Sequence, residues 1–271
     1  MPFIQGAQVG LSVVPKEVKA DIVQIANTNY KYRTVSYIGD GTFGYVEQIE
    51  LFNLSETHSG MYARKLLDQK IDLKLYKERF NREILAQCDC QHKHVVPIYT
   101  FDLAPDKPYF VMELGKIDVL KLIENGQLDE TEKLKIMTDL AKGLRHIHDK
   151  GYLHRDIKPN NIILFENGDY KISDFGLIRK IQPSQDSQVL TSIDTRLGNN
   201  HFMAPELMYV GSDYTIKSDI FAFGRVCEAL MVSDVDLKVM IARCVEMNHK
   251  DRFDSMDEIL TILESKVSPN D

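Results

Sequence analysis

The feature that most constrains the fold is a change of texture at Gly115. From Tyr30 to Phe110 the chain runs in short stretches rich in β-branched and aromatic residues, broken by glycines and polar turns, which is a sheet pattern. One segment departs from it: from about Asp72 to Cys90, Leu73, Tyr76, Phe80, Ile84 and Leu85 recur at helical spacing among Lys, Arg and Glu. This predicts one helix packed on a small sheet. After Gly115 the segments become long and amphipathic, most clearly from Asp129 to Lys150. There Asp129 and Glu132 resemble a capping box, Leu134, Met137, Ala141, Leu144 and Ile147 form an apolar face, and Gly151 supplies a stop. Sheet first and helices afterwards is an α+β arrangement.

Composition narrows the function classes. With 271 residues, 44% of them hydrophobic, the chain can bury the core of one large domain or two small ones. A net charge of -7 offers no broad basic field, so no nucleic-acid partner is expected. Cys88, Cys90, Cys227 and Cys244 do not form a disulfide framework for a chain this long, which favours a reducing, cytoplasmic compartment. Cys88 and Cys90 with His92 and His94 stand one residue apart, too close for a zinc knuckle, and read as structural. No stretch reaches the roughly 18 apolar residues of a membrane span, and neither an export signal nor a membrane anchor is expected. The oligomeric state leaves no mark. Residues 1–29, with VPKEVKADIVQIA, read as a packing or capping extension, and IQPSQDSQVLTS at 181–192 reads as a loop.

Two clusters carry chemistry. Gly39, Gly41 and Gly44 in IGDGTFGYV lie between two β-rich runs, where glycines let a hairpin backbone approach phosphate oxygens. On its own this is also simply a turn. The second cluster is HRDIKPNN at 154–161, followed by Asp174, Phe175 and Gly176. Phosphoryl transfer from ATP needs hard-oxygen metal ligands, a carboxylate to orient the attacking hydroxyl, and a cation near the migrating charge. Asp156, Lys158, Asn161 and Asp174 supply that set.

With these motifs the chain resembles the eukaryotic-type serine/threonine protein kinase family, over about residues 33–265. The resemblance implies a bilobal fold, with a small antiparallel sheet lobe at 30–114 and a mainly helical lobe at 115–271, and it implies ATP and Mg2+. It makes Lys65 the lysine that holds the α- and β-phosphates and Glu83 its helix partner. Asp156 becomes the catalytic carboxylate, Lys158 the phosphate-stabilising cation, and Asn161 and Asp174 the magnesium ligands. Val46, Ala63 and Ile163 would sandwich the adenine, Met112 would be the gatekeeper, Glu113 and Leu114 would present hinge backbone, and Asp118 would meet the ribose. Glu206, in APE, would pair with Arg252, and Asp219 would brace the catalytic loop. Thr195 would be an activating phosphosite received by Arg79, Arg155 and Arg179. The IKPNN run implies protein serine and threonine hydroxyls as acceptors.

The chain also departs from the family pattern. Asn199 stands where a threonine is usual, and its amide can donate to a carboxylate in the same way, which implies retuning rather than inactivity. Gln87, four residues after Glu83, stands where an apolar side chain is expected, so either an internal stack is weakened or the helix register differs. The stretch from Gly224 to Arg252, after the Asp219 helix, is short. Three functions follow: an active protein kinase, a catalytically dead scaffold, or a small-molecule kinase. Intact Lys65, Asp156 and Asp174 argue against the scaffold. Lys158 and the APE segment argue against the small-molecule enzyme.

Overall fold

The β-rich runs form a single antiparallel sheet. The structure is a computed structural model and describes residues 22–25, 28–41, 44–67, 73–103, 108–181, 201–209 and 211–267. Strands β1 (Val23–Gln24), β2 (Tyr30–Gly41), β3 (Gly44–Asn53), β4 (Ser59–Leu67), β5 (Ile98–Asp102) and β6 (Tyr109–Glu113) pair in the order β1-β2-β3-β4-β6-β5. Side chains alternate between the faces of a strand, and β4 shows the consequence. Lys65 stands opposite Phe110 and Ala63 opposite Met112, which puts these four on one face. Leu66 points the other way and packs with Ile49, Tyr109, Val111 and Ile25.

Ile25 lies inside the stretch read as an extension, and Val23 and Gln24 pair with Tyr32 and Lys31. Strand pairing therefore starts ahead of residue 30, and Ile25 covers apolar surface that would otherwise face water. Helix α1 (Leu73–Asp89) lies on the Lys65 face, where Phe80 and Ile84 pack against Leu67 and Phe110. Leu85 does not join that face. It is exposed, because the inward-facing stripe through 76, 80 and 84 continues at 87 and leaves 85 on the flank.

The second half is built on α2 (Val119–Glu124), α3 (Glu130–Asp149), α4 (Ile216–Leu230), α5 (Val235–Cys244) and α6 (Met256–Glu264). Met137, Ala141, Leu144 and Ile147 of α3 are buried in its core, with Leu134 partly buried at the edge. Asp129 caps α3 by accepting the Glu132 N–H at 2.8 Å, while the Glu132 carboxylate takes the Tyr170 hydroxyl instead of completing a capping box. Gly151 ends the helix with φ +78, a conformation that suits glycine. Two small sheets close the lobe: β7 (Ile117–Asp118), β9 (Ile162–Leu164) and β10 (Tyr170–Ile172) in one, β8 (Tyr152–Leu153) and β11 (Arg179–Lys180) in the other. Only Met231 to Asp234 separate α4 from α5, which is where the chain was expected to be short.

Among the described residues no helix is long and apolar enough to cross a membrane, no group of His, Cys, Asp and Glu is placed to hold a metal, and all four cysteines are free thiols. Residues 182–200, with Thr195, Asn199 and most of the segment read as a loop, lie outside the described residues.

Glu206 and Arg252 fasten the helical lobe. The Arg252 Nη1 and Nη2 donate to the two Glu206 oxygens at 2.9 and 2.7 Å, and the guanidinium also donates to the Glu246 and Lys217 carbonyls. Arg252 is fully buried, so removing its partner strands a charge. Glu206→Ala is expected to lower the unfolding free energy by about 3–5 kcal/mol in urea titrations. The Glu206→Ala, Arg252→Met double variant should lose less than the sum of the two single changes.

Candidate active site

The β2–β3 hairpin forms the roof of the site. Gly41 pairs with Gly44 and Gly39 with Val46, while residues 42 and 43 lie outside the described residues. Gly44 is required by packing, since a Cβ there would stand 1.9 Å from the Leu66 carbonyl oxygen. Gly39 is different: a Cβ would meet nothing within 4 Å, so packing of the chain against itself does not account for its lack of a side chain. Val46 stands opposite Lys65 and thus shares the face that carries Ala63 and Met112.

Lys65 is the centre of the site. Its ammonium donates to Glu83 Oε1 at 2.5 Å and to Asp174 Oδ1 at 2.8 Å, so one cation joins the sheet, α1 and the segment after β10. These contacts fix the register of α1, and Gln87 does occupy the interior position one turn beyond Glu83. Burial pulls the Lys65 pKa down, but the charges of Asp174 and Glu83 outweigh it and hold the ammonium well above its ordinary value. The two acids diverge. The Asp174 side chain keeps 30% exposure, and although burial opposes ionisation, Lys65 wins and holds it at about 2. Glu83 keeps only 2%, and burial, reinforced by the Asp174 charge against the pull of Lys65, pushes its carboxyl up to about 7.

The floor is set by a fully buried carboxylate on α4. Asp219 accepts the backbone N–H groups of His154 and Arg155, each at 2.9 Å, and contacts His148 Nε2 at 3.0 Å. This matters because Arg155 has φ +71, a left-handed backbone that costs a non-glycine residue about 1–2 kcal/mol. The bonds from Asp219 hold that bend, and the following Asp156 then meets Lys158 Nζ at 2.7 Å and Asn161 Nδ2 at 3.0 Å. Asn161 also donates to the Asp156 carbonyl and, through its own carbonyl, accepts the Ser173 N–H at 2.8 Å. The loop of 154–161 is thereby tied to Asp174, itself at φ +58.

At the hinge, the Glu113 N–H donates to the Pro97 carbonyl at 3.3 Å, so that N–H is already engaged. The Glu113 carboxylate pairs with Lys171, and Leu114 leads into Gly115. A Cβ on Gly115 would stand 2.2 Å from Ile163 Cγ2, so any side chain there would force Ile163 to shift. Ile163 pairs with Asp118 across β9 and β7. Asp118 has a structural task of its own: its Oδ1 accepts the Lys121 N–H at 3.0 Å and caps α2.

The three arginines are held by separate elements. Arg79 is buried on α1 beside Tyr76, Arg155 reaches the Leu177 carbonyl and lies over Tyr214, and Arg179 pairs through β11 with Leu153. His148 and Lys171 escaped the sequence reading, and Gly115 entered it only as a boundary and not as a site residue. Only Gly115, a glycine at the change of texture, left a local signal.

A curled antiparallel lobe over a helical one, with a lysine, two acids and a braced loop between them, is the architecture of a phosphotransferase of the protein kinase type. The family model described as protein kinase domain matches residues 32–264, and the chain belongs to that family. It is 27% identical over 221 residues to a probable serine/threonine-protein kinase PknB of Lactococcus lactis, a match covering 81% of this chain and 34% of that protein. It is 30% identical over 258 residues to the serine/threonine-protein kinase cds1 of Schizosaccharomyces pombe, covering 90% of this chain and 53% of that one. With PrkC of Bacillus subtilis, also a serine/threonine-protein kinase, identity is 30% over 196 residues, 68% of this chain and 30% of the relative. The chain thus spans between about a third and a half of the curated relatives it matches.

The elevated Glu83 pKa has a measurable consequence. Between 4.5, the ordinary value, and about 7, folded Glu83 keeps a proton that the unfolded chain has released. Its contribution to stability therefore falls as pH rises through that window and levels off above it. Glu83→Gln should remove this component, so the difference in melting temperature between wild type and variant should shift with pH from 5 to about 7 and be flat beyond.

Proposed function

We propose that the chain is an active serine/threonine protein kinase that moves the γ-phosphoryl group of ATP onto a serine or threonine hydroxyl of a protein. The observation that carries this reading is the contact of one buried lysine with both Glu83 and Asp174 beside a braced loop bearing Asp156, Lys158 and Asn161. The three relatives support it, since PrkC and cds1 are serine/threonine-protein kinases and PknB is a probable one.

In this reading the nucleotide lies under Gly39, Gly41 and Gly44, with its adenine between Val46 and Ala63 above and Ile163 below. Met112 limits the depth of the pocket, and the chain after Glu113 lines its edge. Lys65 orients the α- and β-phosphates, and Glu83 holds Lys65. Asn161 and Asp174 offer one amide and one carboxylate oxygen, a hard donor pair suited to Mg2+, which when bound would neutralise phosphate charge. Asp156 orients the acceptor hydroxyl and takes its proton. Lys158, already bonded to Asp156, lies where it can balance charge developing on the transferred group.

Residues 30–114 and 115–271 act as the two lobes in this proposal, and residues 1–29 as an extension whose end is joined to the sheet. Free thiols are consistent with a cytoplasmic setting. Phosphorylation of Thr195, received by Arg79, Arg155 and Arg179, would raise activity.

One set of assays tests this. With Mg-ATP and an acceptor protein, Asp156→Asn and Asp174→Asn should each lose about 10²–10⁴ in rate while melting as cooperatively as wild type. In the same assay Thr195→Ala should stay at the unphosphorylated level, with phosphate mapped to Thr195 in wild type. Wild-type rates in Asp174→Asn would overturn the site assignment. Full activity in Thr195→Ala would remove only the switch.

A further inference from the structure

Gln87 is an amide in the apolar interior. It lies on α1 one turn after Glu83 and is buried, yet only half of it is satisfied. Its Nε2 donates to the Val96 carbonyl at 2.8 Å, while its Oε1 is buried without a hydrogen-bond partner. An apolar side chain of similar size would carry no such unpaired oxygen. The position therefore bears a cost, and what the amide gives in return is the bond to Val96.

That bond reaches an informative place. The Val96 N–H donates to the Ile172 carbonyl at 3.0 Å, the Ile172 N–H donates to His94 at 3.0 Å, and Ile172 lies two residues before Asp174. Thus α1 and the segment carrying Asp174 are joined twice. Lys65 joins them through Glu83 and Asp174, and Gln87 joins them through Val96 and Ile172, one helical turn or about 5.4 Å along the axis. A helix held at a single point can pivot about it. Two attachments a turn apart fix its rotation, and any rotation away would leave the Val96 carbonyl and the whole Gln87 amide buried without partners.

We propose that Gln87 is a positioning residue that holds α1 in the orientation in which Glu83 meets Lys65. The proposal deepens the kinase reading and rests on it for the consequence in rate, but not for the geometry. It makes the Lys65–Glu83 contact depend on a polar tether, where packing of an apolar side chain would give a contact with no directional requirement.

The test compares full-length wild type, Gln87→Met and Gln87→Glu in three measurements: steady-state transfer from Mg-ATP to an acceptor protein, acylation of Lys65 by an amine-reactive reagent, and melting curves to fix the folded fraction. In Gln87→Met the tether is gone while the volume is kept. Its kcat per folded molecule should fall about tenfold with the acceptor KM unchanged. Its Lys65 should acylate faster, because an ammonium no longer held by Glu83 is freer to meet the reagent. Glu at this position can donate to Val96 only while protonated, so Gln87→Glu should recover kcat relative to wild type as pH falls. Gln87→Met with wild-type kcat and wild-type Lys65 acylation would overturn the proposal and leave Gln87 as a tolerated polar residue. If wild type transfers no phosphate, the kinase reading fails, and the Lys65 acylation rates still decide whether Gln87 holds the contact.

Discussion

A single buried ammonium shared by two carboxylates organises this molecule. Lys65 belongs to the sheet, Glu83 to α1 of the first lobe and Asp174 to the second lobe, and at 2.5 and 2.8 Å none can move far without breaking a contact. One positive charge cannot neutralise two negative ones, so with both acids ionised the trio would carry a net negative charge in low dielectric. The strain falls on the more buried partner, which is why Glu83 rises towards neutrality while Asp174 stays ionised. In the proposed reading, the amide oxygen of Asn161 and the carboxylate of Asp174 are of the type a hard cation takes.

The second constraint is backbone strain held by a buried acid. Arg155 and Asp174 both have positive φ; Arg155 adjoins Asp156, and Asp174 is itself one of the residues to which the proposal gives a role. Such bends persist only where the surroundings over-determine them. Asp219 does this for the loop by accepting two successive N–H groups, and its ionised state is kept, against burial, by His148. The Asn161 to Ser173 bond then passes the position of the loop to the strand that leads to Asp174. Helix α4 and the Glu206–Arg252 pair are the base on which this brace stands.

Much of this was legible in the sequence, for identifiable reasons. The sheet and helices announced themselves through periodicity, and HRDIKPNN with Asp174 through residue types that few other purposes require in that order. What the sequence could not show were partners far apart in the chain. His148 and Asp219, or Lys171 and Glu113, carry no local periodic signal, because their meaning depends on which strand lies beside which helix. Leu85 shows the opposite difficulty, since an apolar residue one place off the stripe looks like core until the helix is set down on its sheet. Gln87 left two readings open. Only the contact of Glu83 with Lys65 separates them, by fixing the register and putting the amide inside.

The account stands on the claim that these parts transfer phosphate to a protein hydroxyl of a particular kind. The most direct measurement is to incubate the purified chain with γ-labelled Mg-ATP and a generic acceptor protein, hydrolyse the product in acid and separate the phosphoamino acids. Label in phosphoserine and phosphothreonine, dependent on the added chain, is the result the account predicts. Label confined to phosphotyrosine or to a small molecule, or no transfer by a folded chain that binds ATP, would contradict it.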